Sequence, residues 1–167
     1  MRKLLGVLAV AIKAFTITVI AGTLENAPFH LVLPNDGWKL DDSVAQQKGD
    51  GVYLMATMIN TNTGLISCVA KAEIKKTETN AFDELCDGLR DSFSENHVKV
   101  LSDKETIFLG YKARHFAYEI NLNKKTIYNE VVVFVTGNAG WTIGCMGQLN
   151  QKTEVKQMFT FYQKNKN

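Results

Sequence analysis

Three consecutive antiparallel strands are predicted by residues 111–147, which read YKARHFAYEINLNKKTIYNEVVVFVTGNAGWTIGCMG. β-Branched and aromatic residues, which favour strands, fill three runs within it: Tyr111–Asn121, Ile127–Val135 and Trp141–Gly147. The polar stretches between these runs are short enough to be hairpin turns. Because hairpins join neighbouring strands in antiparallel fashion, this segment predicts an antiparallel sheet as the basis of the fold.

The residues on either side of this segment add further strands and two helices. Strand patterns occur in five more runs: Phe29–Pro34, Gly51–Ile59, Leu65–Ile74, Val98–Leu101 and Thr106–Leu109. Asn80 is predicted to cap a helix with one apolar stripe, and Thr153 is predicted to cap a second helix of the same kind. The predicted fold class is therefore α+β, an antiparallel sheet of about six to eight strands covered by two helices.

The first 21 residues have the features of an export signal. Arg2 and Lys3 are followed by an apolar stretch that ends at Ala21, after which we predict cleavage. Lys13 interrupts this stretch, and a lysine at the centre of a bilayer costs about 2.5–3.5 kcal/mol. A retained anchor and a buried N-terminal helix are the alternatives. We expect residues 1–21 to be a signal peptide, residues 22–167 to be one domain, and the mature protein to be periplasmic or secreted without a stable membrane span.

The charge balance gives no indication of a nucleic-acid partner. The 19 basic residues include Arg2, Lys3 and Lys13, which leave with the signal, and 16 basic residues then face 17 acidic ones. Arg90 and Arg114 are the only arginines that remain, and the sequence has no basic stripe interleaved with aromatic residues. We therefore expect a protein partner rather than nucleic acid.

Three cysteines, Cys68, Cys86 and Cys145, are predicted to face the protein core. An oxidising compartment allows one disulfide among them. We predict a helix-to-sheet bridge between Cys86 and Cys145, with Cys68 as the alternative partner of Cys86; three reduced buried thiols are the other alternative. The spacing of cysteines and histidines matches no zinc pattern, and a thiol in apolar surroundings is a poor nucleophile, so neither a metal site nor a cysteine nucleophile is predicted.

The remaining polar and aromatic residues carry no recognisable catalytic motif. Four loop acids fit no calcium-binding loop and are interpreted as solvated: Asp36, Asp41, Asp42 and Asp50. His115 is interpreted as a strand histidine with a satisfied hydrogen bond. Four aromatic residues are predicted to pack in the core rather than to form an exposed patch: Trp38, Tyr53, Tyr111 and Tyr118. We therefore predict no catalytic residue and no cofactor.

The pattern as a whole resembles the Mog/PsbP-like fold, which includes bacterial DcrB and mycobacterial LpqN-type exported proteins. Five segments carry the resemblance: the apolar stretch with Pro34, Gly37 and Trp38 in residues 29–38, the helix at Asn80–Glu95, the strand start Ile107–Ala113, the hairpin Ile127–Gly147 and the last helix around Phe159. The resemblance implies a PsbP-like α/β/α sandwich and an accessory or binding role. It supplies no catalytic motif, and the lipoprotein members differ by a cysteine at the end of the signal.

The functional expectation is an exported, non-catalytic accessory or binding protein of the bacterial envelope. The alternative is a small secreted enzyme whose active site uses residues outside known motifs. An enzyme should present a deep pocket with convergent titratable groups, whereas a binding module should present a shallow apolar patch.

Overall fold

The computed structural model describes residues 27–31, 33–41, 52–74 and 80–166, with the backbone alone for residues 52–54. The predicted signal peptide and its cleavage site lie outside the described residues, as do the loop acids Asp42 and Asp50. The side chain of Tyr53 also lies outside them. In the described part of the chain, no helix is both long enough and apolar enough to cross a membrane.

Seven antiparallel strands form one open sheet. The strands are β1 (Trp38–Leu40), β2 (Val52–Asn60), β3 (Ile66–Glu73), β4 (Lys99–Phe108), β5 (Tyr111–Leu122), β6 (Lys125–Thr136) and β7 (Ala139–Gln148). Their order across the sheet is β1-β2-β3-β7-β6-β5-β4. Two meanders, β1–β3 and β4–β7, therefore meet where β3 pairs with β7, and the α+β prediction with its antiparallel sheet is confirmed.

Two-residue turns join the strands of the second meander. Both central residues have positive φ in the turn Leu109–Gly110, at 54° and 85°, and in the turn Asn123–Lys124, at 49° and 66°. This is the type I′ geometry, whose backbone twist matches that of the strands it connects. Glycine adopts such a φ without strain, and Gly110 supplies it beside the edge strand β4.

One helix packs on each face of the sheet. Helix α1 (Ala81–Glu95) lies on one face, and helix α2 (Lys152–Lys164) follows a short 3-10 turn on the other. Asn80 precedes α1 as predicted, although its side chain caps none of the described backbone N–H groups. Helix α2 begins at Lys152, one residue before the predicted cap Thr153, because the 3-10 turn runs directly into it.

Each helix covers its own hydrophobic core, since successive side chains of a strand point to opposite faces. The α1 layer contains Cys68, Leu85, Cys86, Leu89, Phe93, Phe116, Tyr118, Val131, Val133 and Met146, among others. The α2 layer contains Phe29, Trp38, Val69, Phe108, Val132, Phe134, Trp141, Ile143, Cys145, Met158, Phe159 and Tyr162, among others. The run Val131–Val135 is apolar throughout because β6 lies inside the sheet and alternates between the two cores.

Two strand predictions differ from the structure. Phe29–Pro34 is not a strand; in the described residues of that run, Phe29 forms a single bridge with Lys166, and β1 starts later, at Trp38. The predicted short strands at 98–101 and 106–109 are one continuous strand, β4. Its polar centre resembles a loop in the sequence, but an edge strand keeps polar side chains in solvent while its backbone pairs with β5.

Candidate binding site

A cavity of about 220 Å³ opens between the C-terminal half of α1 and the strands β4 and β5. Its lining consists of Arg90, Phe93, Ser94, Val98, Val100, Asp103 and Phe116. Most of these side chains are apolar, and the two charged ones form an ion pair. The cavity is shallow, since Phe93 and Phe116 in its lining are only 3% and 0% exposed, and it is smaller than most ligand pockets.

The end of α1 shapes the mouth of this cavity. His97 has a φ of 50°, which turns the chain sharply after the helix. The turn is held by a hydrogen bond of 2.9 Å from the N–H of Val98 to the carbonyl of Phe93. As a result the chain reverses onto the sheet, and Val98 and Val100 line the cavity together with Phe93, although Val100 is still 45% exposed.

Asp103 joins the cavity to a cluster of charges, because its carboxylate is shared by two arginines. Its Oδ2 accepts a hydrogen bond of 2.9 Å from Nε of Arg90, and its Oδ1 accepts one from Nε of Arg114. The register of β4 and β5 makes this possible, since Asp103 lies opposite Phe116 and next to Arg114 on the same face. The guanidinium of Arg90 also lies 5.8 Å from the centre of the Phe116 ring.

The ion pairs change the pKa values of these groups in the expected directions. Partial burial of Asp103 opposes its ionisation, but the hydrogen bonds from Arg114 and Arg90 outweigh it, so the pKa of Asp103 lies below its ordinary value. The hydrogen bond to Asp103 raises the pKa of Arg90. Both partners are therefore charged at neutral pH, and the cluster is a fixed part of the cavity.

A second polar cluster lies in the α2 layer, around a buried carboxylate whose histidine partner, His115, is 33% exposed. The carboxylate of Glu130 is 1% exposed; one oxygen accepts the hydroxyl hydrogen bond of Tyr128, and the other lies 2.8 Å from Nε2 of His115. The ring of His115 packs 5.5 Å from that of Phe159 on α2. Burial, followed by the hydrogen bond to Glu130, raises the pKa of Tyr128. His115 is thus a strand histidine with a hydrogen-bonded partner, as predicted.

The three cysteines are free thiols, and the sheet divides them. Cys68 and Cys86 pack in the α1 layer, whereas Cys145 packs in the α2 layer. Cys145 is paired with Ser67, so the next residue, Cys68, points to the opposite face. The sheet therefore separates Cys86 from Cys145, and the layer arrangement favours Cys68 over Cys145 as the partner of Cys86. A disulfide at Cys86 stays a prediction.

Burial makes all three thiols weak nucleophiles. Desolvation raises the pKa of Cys68 to about 12 and that of Cys86 to about 11, the latter in spite of the nearby charges of Arg90 and Arg114. Desolvation also raises the pKa of Cys145. A thiolate is the reactive form, so these side chains behave as small apolar core residues at neutral pH.

Exposed apolar side chains gather near the open edge of the sheet. Val100, Leu101 and Ile107 of β4 and Tyr111 at the start of β5 are all more than a third exposed. Trp38 and Tyr118 are buried in the two cores, as expected for them, while Tyr111 is 37% exposed. The loop acid Asp36 is exposed. Val100 also lines the cavity, whereas Ile107 and Tyr111 lie at the other end of β4, beyond the polar residues 102–106.

Sequence reasoning missed the cavity because its parts come from three separate elements. Arg90 lies on α1, Asp103 on β4 and Arg114 on β5, and nothing in their spacing indicates contact. One signal was available: Arg90 and Arg114 are the only arginines beyond residue 2, and one falls next to an apolar helix stripe and the other within a strand. An arginine in such a position needs a nearby carboxylate.

The fold is similar to solved structures that share little sequence with this chain. PsbP from the cyanobacterium Synechocystis sp. PCC 6803 matches with a TM-score of 0.62 and 13% identity, over 93% of this chain and 97% of that chain. PA94 from Pseudomonas aeruginosa, a protein of unknown function, matches with a TM-score of 0.50 and 6% identity, over 83% and 88%. The chain therefore has a PsbP-like fold, as the resemblance implied.

LpqN from Mycobacterium tuberculosis, a protein involved in cell envelope biogenesis, matches with a TM-score of 0.43 and 11% identity, over 78% of this chain and 84% of that chain. No protein-family model matches the sequence. No curated protein matches it either.

Proposed function

We propose that this protein is an exported, non-catalytic accessory protein of the bacterial envelope that binds a partner through the α1-side cavity and the adjoining edge of β4. The observation that carries the proposal is the contrast between the two polar clusters. The Arg90–Asp103 ion pair lines a shallow cavity, whereas the carboxylate of Glu130 is buried under α2, although its partner His115 is 33% exposed. An open, shallow, mostly apolar site suits recognition of a partner rather than chemistry on a substrate.

The groups that an enzyme would use are committed to packing. The pKa of each thiol is raised by burial, and both oxygens of Glu130 are engaged by Tyr128 and His115. Neither the thiols nor Glu130 line the described cavity. The PsbP-like fold by itself does not distinguish a binding protein from an enzyme, because one fold hosts many functions. These observations favour a binding role over the alternative of a small secreted enzyme.

Export is tested by expressing the full chain with a C-terminal tag in a bacterial host. After fractionation, the N-terminal residues of the recovered protein are sequenced. Our proposal expects the protein in the periplasm or medium, starting at residue 22, because Arg2, Lys3 and the apolar stretch before Ala21 form the signal. Recovery of an intact N-terminus from the cytoplasm would contradict it.

Partner binding is tested by filling the cavity. Ser94→Trp places an indole at the mouth of the cavity from an exposed position of α1. Thr160→Trp places the same side chain on the exposed side of α2 and serves as the matched control. Chemical crosslinking in envelope extract, read by mass spectrometry, should recover a partner with the parent and with Thr160→Trp but not with Ser94→Trp. Equal recovery with both variants would exclude the cavity as the docking site.

A further inference from the structure

The outer edge of β4 has no pairing strand within the part of the chain that the structure describes. β4 is the last strand in the order of the sheet, and it pairs there with β5 on one side only. The residues Lys104–Ile107 are all exposed, and Ile107 is 64% exposed. A strand of ten residues therefore presents its second edge to solvent.

The turn after β4 determines which backbone groups point outwards. In a two-residue type I′ hairpin the residues on either side of the turn exchange both hydrogen bonds, so Phe108 and Tyr111 form a hydrogen-bonded pair. Bonded and non-bonded pairs alternate along an antiparallel ladder, and the even-numbered residues of Ser102–Phe108 therefore bond to β5. The N–H and C=O groups that point away from β5 belong to Asp103, Glu105 and Ile107.

Two features limit the length of this edge. The pairing of β4 with β5 is shifted between Val100 and Ser102, and the resulting bulge interrupts the alternation of outward-facing groups. At the other end the strand stops at the turn Leu109–Gly110. The regular edge is therefore Ser102–Phe108, which suits an incoming strand of about seven residues, within the usual length of strands.

A second copy of this chain is a poor occupant for the edge. In a two-fold antiparallel pairing, the alignment that uses all three outward-facing residues of each copy places Glu105 opposite Glu105 of the second copy. Like charges directly opposite each other destabilise a sheet. The three consecutive charged residues Asp103–Glu105 at the centre of β4 also oppose pairing of this edge with itself. The edge therefore suits a strand of different sequence.

We propose that β4 accepts an extended segment of a partner protein, which pairs antiparallel with Ser102–Phe108 as an eighth strand of the sheet. Lys104 is exposed, and its ammonium has no ion-pair partner among the described residues, so the segment carries an acidic residue opposite it. Opposite Ile107 the segment carries a β-branched apolar residue. The proposal rests on the binding role proposed above and specifies how the partner is recognised, by its backbone first and by alternate side chains second.

The test uses the full chain and a synthetic peptide, acetyl-Thr-Val-Thr-Thr-Glu-Thr-Thr amide. In the antiparallel pairing its valine lies opposite Ile107, its fourth residue opposite Glu105 and its glutamate opposite Lys104. Amide shifts in a 15N-labelled sample give the affinity and locate the site. Hydrogen exchange should slow at Asp103, Glu105 and Ile107, whose N–H groups gain acceptors. Exchange at Lys104 and Thr106 should change little, because their N–H groups already bond to β5.

Two methylated peptides distinguish backbone pairing from other kinds of binding. A methyl group on the backbone nitrogen of the fourth residue removes an N–H that points at β4. The same group on the fifth residue replaces an N–H that points to solvent, which makes this peptide the matched control. We expect the first peptide to bind at least about 10-fold more weakly than the unmodified one, because it loses a hydrogen bond and its methyl group lies between the strands. The control should bind as the unmodified peptide does.

Variants of the protein test the same contact from the other side. Glu105→Pro removes an outward-facing N–H, at a position where an edge strand tolerates proline, and should weaken peptide binding at least about 10-fold. The control is Asp36→Pro, in the exposed turn that the N–H of Trp38 closes on the carbonyl of Asn35, and the affinity should not change. Thermal unfolding shows whether each variant is folded. If Glu105→Pro is not, Lys104→Glu replaces it and should weaken binding through repulsion of the peptide glutamate.

Four results would overturn the proposal. They are no binding of the unmodified peptide, equal affinity of the three peptides, amide shifts confined to residues outside β4 and β5, and protection of the outward-facing amides in a free protein that sediments as a dimer. The last result would identify a second copy as the occupant of the edge.

Failure of this proposal is distinguishable from failure of the binding role. If the peptide does not pair with β4 but Ser94→Trp still abolishes crosslinking to a partner, strand addition is wrong and the docking site at the cavity stands. If the peptide pairs with β4 but crosslinking is unaffected by Ser94→Trp, β4 accepts a strand and the cavity is not the docking site.

Discussion

The two faces of the sheet are covered in different ways. The α2 layer is completed by a second segment, since the ring of Phe29 packs edge to face on Trp141 and Tyr162, and the N–H of His30 bonds to the carbonyl of Asn165. The α1 layer has one helix, and beyond its last turn the core gives way to a cavity bordered by ion pairs. A single sheet thus has one face covered by two segments and one face covered by a single helix, and the partner is proposed to bind on the second face.

The charges on the helices follow the same division. Helix α2 has Glu154 in its first turn and Lys164 in its last, the signs that suit the helix dipole. Helix α1, described over its whole length, has no basic residue in its last turn and ends with Glu95, the unfavourable sign. Asp91 and Glu95 are also four residues apart, where like charges repel. The terminal charges of α2 therefore suit its dipole at both ends, and those of α1 suit it only at the N-terminus.

The largest effect should come from truncating the sealed face. Trp141 is fully buried, and Trp141→Ala should lower the free energy of unfolding by about 4–5 kcal/mol. The truncation leaves a cavity that the well-packed neighbouring side chains cannot fill. Phe93→Ala in the α1 layer is the matched change, and we expect a loss of about 3 kcal/mol, because the space joins an existing opening that water can enter. Urea unfolding measures both. A larger loss for Phe93→Ala would reverse the comparison between the faces.

The second-largest loss of stability is expected from the buried carboxylate of Glu130 in the α2 layer. Glu130→Gln keeps the shape of the side chain but removes the charge that His115 and Tyr128 share, and should cost about 2 kcal/mol. Glu105→Gln, at an exposed position beside the α1-side cluster, should cost less than about 0.5 kcal/mol. Thermal and urea unfolding at pH 7 distinguish the two. Equal losses would mean that the Glu130 cluster contributes no more than a surface ion pair.

A smaller and pH-dependent effect is expected at Asp103. Asp103→Asn should cost about 1 kcal/mol at pH 7, because two half-buried guanidiniums lose their shared partner. The folded-state pKa of Asp103 lies below its ordinary value of 3.8, so its contribution is full above that value and disappears as the pH falls through the lower folded-state pKa. Unfolding curves of the parent and the variant should therefore converge in acid. A difference that persists at pH 2 would assign the effect to packing.

The smallest effects test the charges at the helix ends. Glu95→Gln should stabilise the protein by about 0.3–0.5 kcal/mol, since it removes a negative charge from the end of α1 and the repulsion with Asp91. Lys164→Gln should destabilise it by a similar amount, about 0.3–0.5 kcal/mol. Both shifts should shrink in 1 M salt, which screens exposed charges. Shifts of the same sign would show that the two helices do not differ in this respect.

The sequence predicted the parts of the fold that local patterns determine. The strands β5 to β7, the apolar stripes of both helices and the antiparallel class all follow from alternation and turn residues. It failed where a distant partner decides the conformation: the run after Phe29 packs against α2 without becoming a strand, and the polar centre of β4 is a strand because β5 pairs with it. The cavity depends on contacts between three elements, which no spacing along the chain reveals.

The junction of β3 with β7 has a consequence for the route by which the chain folds. The turns inside β4–β7 are two residues long and close quickly, whereas Glu73 and Ala139, which face each other across the junction, are separated by all of residues 74–138. The β4–β7 meander should therefore form first. Until β3 pairs with β7, the apolar strand β7 is an unpaired edge strand to which other chains can bind. Pulsed hydrogen exchange should protect β5 and β6 before β2, and the reverse order would contradict this route.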